Sequence, residues 1–381
     1  MVSMLILAIF FSMGSRAVFS PLMPALREEM GFSLATAGSL FLLVSMSYGI
    51  AMLLAGFLSS RLGHGRTVVT SLAIIALGLL ISAASRGTAL LAAGMILIGA
   101  AAGIYPASGL AMINTGIPAS RRDRALSFHE IGPNLALLLS PLFVLALQPL
   151  WGWRGVLLCM SGISALAAAV FLRWGAPGSG RGAAPNIRIL KDLLRSGRLW
   201  LGMMLLIAAN AGVQGVYSIL PAYLVEKSGF SPELVNLLLS ISRISGVLIL
   251  LRAGSLIGRF GRRRTIFWIL VFSALCTGLI GLVRGGWVAA AVVLQPALLA
   301  GMFPPLLSSI ADIGEPRYQN LTYSLAITAG VGIGGGGAPV LMGFLADHSL
   351  GWAGFLTVAL FMLASAWLLH KTPSFGREPR N

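Results

Sequence analysis

The chain has 381 residues, is 57% hydrophobic and 10% charged, and carries a formal net charge of +16 at a mean hydropathy of +0.90. That much apolar surface exceeds the needs of a soluble core and fits a chain whose outside faces lipid. The apolar runs are continuous, which excludes the alternating strands of a membrane β-barrel, and the positive charge lies between them, which excludes nucleic-acid binding as its reason.

Runs of about 20 apolar residues, each long enough to cross a bilayer as a helix, recur about twelve times. We place the spans at 3–26, 34–58, 67–85, 88–114, 124–147, 151–173, 198–224, 232–257, 265–283, 287–311, 319–345 and 351–370. The first begins almost at Met1; it is too long, and lacks the basic leader, for a cleavable signal. It carries Arg16 roughly 20 Å deep, with Ser12 and Ser20 on the same face. Pro24, Glu29 and Gly31-Phe32-Ser33 lead into the second span, which holds Tyr48. The following loop reads Gly56-Phe-Leu-Ser-Ser-Arg61-Leu-Gly63-His-Gly-Arg66. Tyr105 lies in the fourth span, and His129 and Glu130 lie early in the fifth. Residues 174–197 form the long hydrophilic connection, a Gly/Ser-rich linker in which 187–194 is expected to make a short amphipathic helix on the membrane surface.

In the seventh span Asn210, Gln214, Tyr217 and Pro221 fall on one face. The eighth carries Asn236, Ser240 and Arg243 on one stripe, with Arg243 roughly 16 Å deep, and Arg252 near its end. Its loop reads Gly254-Ser-Leu-Ile-Gly-Arg259-Phe-Gly261-Arg262-Arg-Arg. Gln295 and Asp312 mark the tenth span and Tyr323 the eleventh, whose Gly330–Gly337 run is read as close helix packing because no Lys-Ser/Thr follows it. Cys159 and Cys276 lie inside apolar runs and read as packing residues.

The two loops match at an offset of 198 residues, Gly56 to Gly254. The same offset carries Gly31 to Gly229, Pro106 to Pro304, Pro118 to Pro316 and Pro141 to Pro339. One register over most of the chain implies two halves of one architecture, 1–173 and 198–381, joined by 174–197, with a binding site expected between them. Of the 27 Lys and Arg, 19 fall on one side of the expected membrane and 5 on the other, with Arg16, Arg243 and Arg252 inside spans. This asymmetry places both termini in the cytoplasm.

The duplicated loop, with Gly56, Leu58, Arg61, Gly63 and Arg66 in one copy and Gly254, Leu256, Arg259, Gly261 and Arg262 in the other, resembles that of the major facilitator superfamily. The resemblance covers nearly the whole chain and implies an all-α membrane protein with twelve transmembrane helices in two six-helix bundles around a central cavity. It implies transport by alternating access, with the loops as gating elements. Where the family carries an acid that holds one side closed, this chain has Ser60 and Gly258, and Met95 stands near the family's fourth-helix arginine. Gly132-Pro133 begins the fifth-helix pattern of proton-coupled drug exporters, but Asn134-Leu135-Ala136 departs from it. Arg16, Pro24, Glu29, Gly31 and Ser33, and Arg243 in the eighth helix, are similar to positions in organic-anion and monocarboxylate carriers.

A charge in the hydrocarbon layer costs several kcal/mol or more unless it meets water, a partner or a ligand. Arg16 and Arg243 have no acid within helical reach, so they read as an anion clamp, a guanidinium pairing with a carboxylate in two hydrogen bonds; the alternative is bonding to backbone carbonyls or to Glu130. Tyr105, Asn210, Gln214 and Tyr217 complete the expected substrate-binding set, and Glu130 with His129 the proton-coupling set, unless Glu130 pairs with Arg121, Arg122 or Arg124. No catalytic triad, metal-ligand spacing or nucleotide fingerprint occurs in the sequence, so we expect no enzyme activity, no metal and no cofactor beyond a proton gradient as energy source. The expectation is a monomeric secondary transporter of a small mono- or dicarboxylate in a prokaryotic inner membrane, with the lipid bilayer as its surroundings and no nucleic-acid partner. The competing readings are an exporter of amphipathic drugs, a lipid flippase of the same fold and a non-transporting sensor.

Overall fold

The computed structural model describes residues 2–118, 121, 125, 126, 128, 129, 131–175, 180, 193–283, 285–313, 319–372 and 375; in helix 232–260 it leaves out the side chains of residues 247, 248, 250–254 and 256. Among the described residues the regular structure is helical, with no strand. In chain order the helices are α1 (Val2–Ala17), α2 (Phe19–Met30), α3 (Leu34–Leu62), α4 (His64–Ala83), α5 (Thr88–Gly116) and α6 (Ile131–Trp174). Then come α7 (Gly197–Asn210), α8 (Val216–Ser228), α9 (Pro232–Phe260), α10 (Arg262–Leu282), α11 (Gly286–Ala300) and α12 (Phe303–Ala311). The last are α13 (Gln319–Ala329), α14 (Ala338–Asp347) and α15 (Gly351–Lys371). Two π-helices interrupt this order, Ala211–Gly215 between α7 and α8 and Gly330–Gly337 between α13 and α14.

Among the described residues ten segments are long and apolar enough to cross a membrane. One of them, α6, holds two spans, turned at Gly152 with φ 63°. Counted so, and with the 29-residue α9 added, the described helices make the twelve spans of an all-α membrane protein. The sequence repeat is present in the backbone. Gly31 and Gly229 close their helices at φ 68° and 69°, both with ψ 22°. Gly63 and Gly261 sit in the loops at φ 80°, ψ 158° and φ 76°, ψ 156°. Only glycine takes such angles without strain, which is why these positions repeat as glycine.

The chain divides into two compact units: Met1–Phe32 with Leu43–Pro185, and Ser33–Leu42 with Asn186–Asn381. The first turns of α3 thus belong with the second unit, the rest of that helix with the first. Membrane helices gain little from burying apolar surface against each other, so small residues and interhelical hydrogen bonds decide the packing.

In the first unit a Cβ on Gly103 would strike the carbonyl of Tyr48, and a Cβ on Gly132 would lie 2.8 Å from the carbonyl of Ile6. These glycines press α5 onto α3 and α6 onto α1. Glu29 at the end of α2 accepts from Trp153 Nε1 and Arg154 at 2.6 Å each, and Arg154 also donates to the carbonyl of Ser85 at 3.0 Å. One carboxylate and one guanidinium thereby tie three interhelical turns.

In the second unit the two π-helices pack on each other's neighbours. A Cβ on Gly334 would strike the carbonyl of Ile207, and one on Gly330 would lie 2.8 Å from Asn210 Nδ2. The glycine run therefore serves close packing. At the start of α3, Asp347 accepts from the N–H groups of Leu34 and Ala35 at 2.9 and 2.8 Å, and Ser33 Oγ accepts from Thr36 N–H at 3.1 Å. The opening turn of the helix is fully capped.

Candidate functional site

Each unit sets an arginine over a tyrosine ring within its membrane-spanning helices. In the first unit Arg16 from α1 lies over the ring of Tyr48 from α3, 4.4 Å from its centroid. In the second unit Arg243 from α9 lies over the ring of Tyr217 from α8, 4.6 Å from its centroid. The roles are exchanged between the units: the earlier helix supplies the arginine in one and the tyrosine in the other. The sequence singled out both arginines, but a tyrosine on a neighbouring helix is invisible to spacing along one helix.

The two guanidinium groups differ in what else they touch. Arg16 Nε donates to the carbonyl of Ser12 at 3.4 Å and its Nη2 lies 3.2 Å from Met13 Sδ, so its own helix holds it. The Nε of Arg243 is buried and has no hydrogen-bond partner among the described residues. A cation–π contact is worth about 2 kcal/mol when desolvated, less than the cost of keeping a guanidinium in the hydrocarbon layer. Arg243 thus keeps its guanidinium over a ring and a buried Nε without a hydrogen-bond partner among the described residues. Asn236 and Ser240, its expected companions, are buried, with Ser240 Oγ donating to the carbonyl of Asn236 at 3.0 Å.

The polar face of the seventh span is divided by the π-helix at Ala211–Gly215. Asn210 is buried, donates to the carbonyl of Leu206 at 2.9 Å and accepts from Gln214 Nε2 at 3.0 Å. Gln214 is half-buried beside Gly335 of the glycine run. Gln295, also buried, donates to the carbonyl of Gly212 at 3.0 Å, where the π-turn leaves that oxygen available. Both of these Asn210 bonds thus stay within the seventh span, and Tyr217 is the residue of this face that meets Arg243.

Tyr105 is fully buried. Its hydroxyl donates to the carbonyl of Leu5 at 2.8 Å and meets His129 Nε2 at 2.9 Å, and the two rings stack at 6.0 Å. Both residues belong to the packing of α1, α5 and the chain leading into α6. Glu130 lies outside the described residues, as do Arg122, Arg124 and nearly all of the linker, 176–179 and 181–192. The side chain of Arg252 is likewise outside them, and of Gly254 only the backbone is described.

The two loop copies are anchored differently. In the first, Arg61 and Arg66 are exposed, Gly56 is half-buried and Gly63 is buried. Ser60, at the family's acidic position, donates back to the carbonyl of Phe57 at 2.8 Å, within its own helix. In the second copy Arg259 lies over its neighbour Phe260, and Arg262 pairs with Asp312 at 2.6 Å. Arg263 donates to the carbonyls of Leu369 and His370, the last turn of α15. Among the described residues no group of three or more His, Cys, Asp or Glu is placed to hold a metal.

The sequence matches the family described as the Major Facilitator Superfamily over residues 5–286 and 229–381. An uncharacterised transporter of that type from Bacillus subtilis (strain 168), YbcL, is 20% identical over 382 residues, covering 94% of this chain and 93% of that protein. A probable sugar efflux transporter of Helicobacter acinonychis (strain Sheeba) is 27% identical over 274 residues, covering 68% of this chain and 66% of that one. Among solved structures, a POT family transporter in complex with a thioalcohol-conjugated peptide superposes with a TM-score of 0.81 at 14% identity, covering 97% and 95% of the two chains.

Proposed function

The chain belongs to the major facilitator superfamily and is a multi-pass membrane transporter, and on that premise we propose that its solute is a small organic anion, a mono- or dicarboxylate. The observation that carries this reading is the Arg243 guanidinium, held over the ring of Tyr217 with its buried Nε unpartnered among the described residues. A fixed planar fork matches a carboxylate in two parallel hydrogen bonds. Arg16, over the ring of Tyr48 in the first unit, is read as an anion ligand too, while Tyr217 holds the Arg243 guanidinium and Gln214 orients the remainder of the solute. The polar amide face of Asn210 supports Gln214 rather than meeting the solute.

In this reading transport is by alternating access of the 1–173 and 198–381 halves, coupled to protons through Glu130 with His129 beside it. Both termini lie on the cytoplasmic side of a prokaryotic inner membrane, following the excess of Lys and Arg there. The glycine-arginine loops, Gly56 to Arg66 and Gly254 to Arg262, serve as the gating elements on that side.

A second reading, sugar efflux, draws on the Helicobacter relative and on the amide and hydroxyl groups around Gln214. One experiment separates them. The purified protein is heated with carboxylates, sugars, amino acids and cationic drugs in turn, beside Arg243→Ala. A ligand at 100 times its dissociation constant adds about 2.7 kcal/mol to the native state. Stabilisation by a carboxylate class, weakened by about 1.5–3 kcal/mol of binding energy in Arg243→Ala, is the expected result. Stabilisation by sugars alone, equal in the variant, would overturn the anion reading and promote the second.

A further inference from the structure

We propose that a cavity at the arginine-bearing end of α10 binds the headgroup of an acidic phospholipid. The cavity has a volume of about 320 Å³ and is lined by Arg263, Arg264, Phe267, Trp268, Leu369 and His370. Its lining joins two guanidinium groups and an imidazole with two aromatic rings and a leucine, and the imidazole of His370 lies 5.8 Å from the ring of Phe267. It lies wholly within the second unit, where α10 begins and α15 ends.

The charge here is in excess. Arg262 is matched by Asp312, and Arg263 spends part of its fork on the carbonyls of Leu369 and His370. Arg264 is exposed and has no hydrogen-bond or ion-pair partner among the described residues. A second cavity, about 500 Å³, shares Arg263 and Arg264 and extends past Arg262 to Phe260. Basic pockets at the ends of membrane helices are suited to phosphate-bearing headgroups.

The aromatic residues fix the depth. Trp268 is 53% exposed and Trp367 58% exposed, so both face the bilayer, and Lys371 sits 5.9 Å over the Trp367 ring. Tryptophan in that position marks the level where acyl chains meet headgroups. Trp268 stacks on Phe272 at 5.7 Å, one turn deeper, giving a continuous aromatic wall for the acyl chain. The chain's own tail is a poor occupant, because beyond Phe375 it carries Arg377 and Arg380 against one Glu378.

The repeat supplies an internal control. The 198-residue offset sets Gly65, Arg66, Val69 and Thr70 against Arg263, Arg264, Phe267 and Trp268. The first copy keeps one exposed arginine and has neither the second cation nor the aromatic wall. Selection for a charged loop alone would give no reason for Phe267 and Trp268.

The test uses the full-length protein in phosphatidylcholine nanodiscs, with phosphatidylglycerol titrated in and bound lipid counted by native mass spectrometry. Retention of phosphatidylglycerol over phosphatidylcholine is expected, falling about fivefold in Arg264→Gln, as one surface cation predicts. Trp268→Leu, at a largely exposed side chain, weakens it as well. Arg66→Gln, the same charge change at the matching position, leaves it unaltered. Equal retention in Arg264→Gln and the parent would overturn the proposal. So would an equal loss in Arg66→Gln, which would assign the effect to overall charge. Full displacement by inorganic phosphate would overturn it in favour of a free-anion site.

Discussion

The arginines at 16 and 243 were legible because their setting is apolar. A cation in a run of about 20 hydrophobic residues demands an explanation wherever it falls. What sequence could not supply is the second helix. The stacking of Arg16 on Tyr48 and of Arg243 on Tyr217 joins residues 32 and 26 positions apart, which no helical period links. For the same reason the bonds of the Tyr105 hydroxyl to Leu5 and His129 were not legible along one helix. The stacks lead to a test of the tyrosine as a positioning residue. Tyr217→Phe keeps the ring face and should leave solute affinity within about twofold. Tyr217→Leu removes a contact worth about 2 kcal/mol and should raise KM roughly 30-fold with a smaller change in maximal rate. The two uptake curves, measured side by side, distinguish a ring that holds the guanidinium from a hydroxyl that binds the solute, which would make Phe as damaging as Leu.

At the scale of helices, the caps and turns were legible and the interruptions were not. Gly31-Phe-Ser33 and Gly229-Phe-Ser231 each end one helix in a left-handed glycine and cap the next with a serine, Ser33 on Thr36 and Ser231 on Leu234. Local chemistry suffices for that. Asp347, 313 residues from Leu34, completes the cap of α3, and no local pattern announces it. Asp347→Ala should cost about 1 kcal/mol of stability, as loss of an N-cap does, and a lowered melting temperature in detergent checks it. The π-helices arise from tertiary packing as well. At Gly330–Gly337 the backbone comes so close to Ile207 and Asn210 that the added turn relieves the fit. Gly334→Ala must push α7 away from this segment; a loss of about 1–3 kcal/mol is expected, as for overpacking in a core. The displaced Gln214 should also weaken solute binding, so a stability loss without any change in affinity would separate the packing role from the site.

For the whole molecule, the repeat is the strongest thread from sequence to function. It pairs Gly63 with Gly261, and their backbone angles agree within a few degrees. Yet the halves have diverged in charge: Glu29 faces Lys227 in the repeat, and Arg154 faces Ala353 once the register slips by one. With only 11 acidic residues in the chain, few groups can carry a proton across the hydrocarbon layer, and Glu130 is the acid that the sequence sets within the fifth apolar run. If a monoanion enters with one proton, the pair is neutral and its accumulation follows the proton ratio. Each pH unit across the membrane then supports about tenfold accumulation, since one unit is 1.36 kcal/mol. Proteoliposomes with an acidic exterior should show that ratio for the parent. Glu130→Gln should lose the dependence on the gradient while still exchanging labelled for unlabelled solute, because exchange returns a loaded carrier and needs no proton release. Gradient-driven accumulation that persists in Glu130→Gln would remove the residue from the coupling. Accumulation indifferent to the gradient in the parent would make the protein a uniporter or exchanger, leaving Arg243 as the anion ligand and Glu130 as a structural acid.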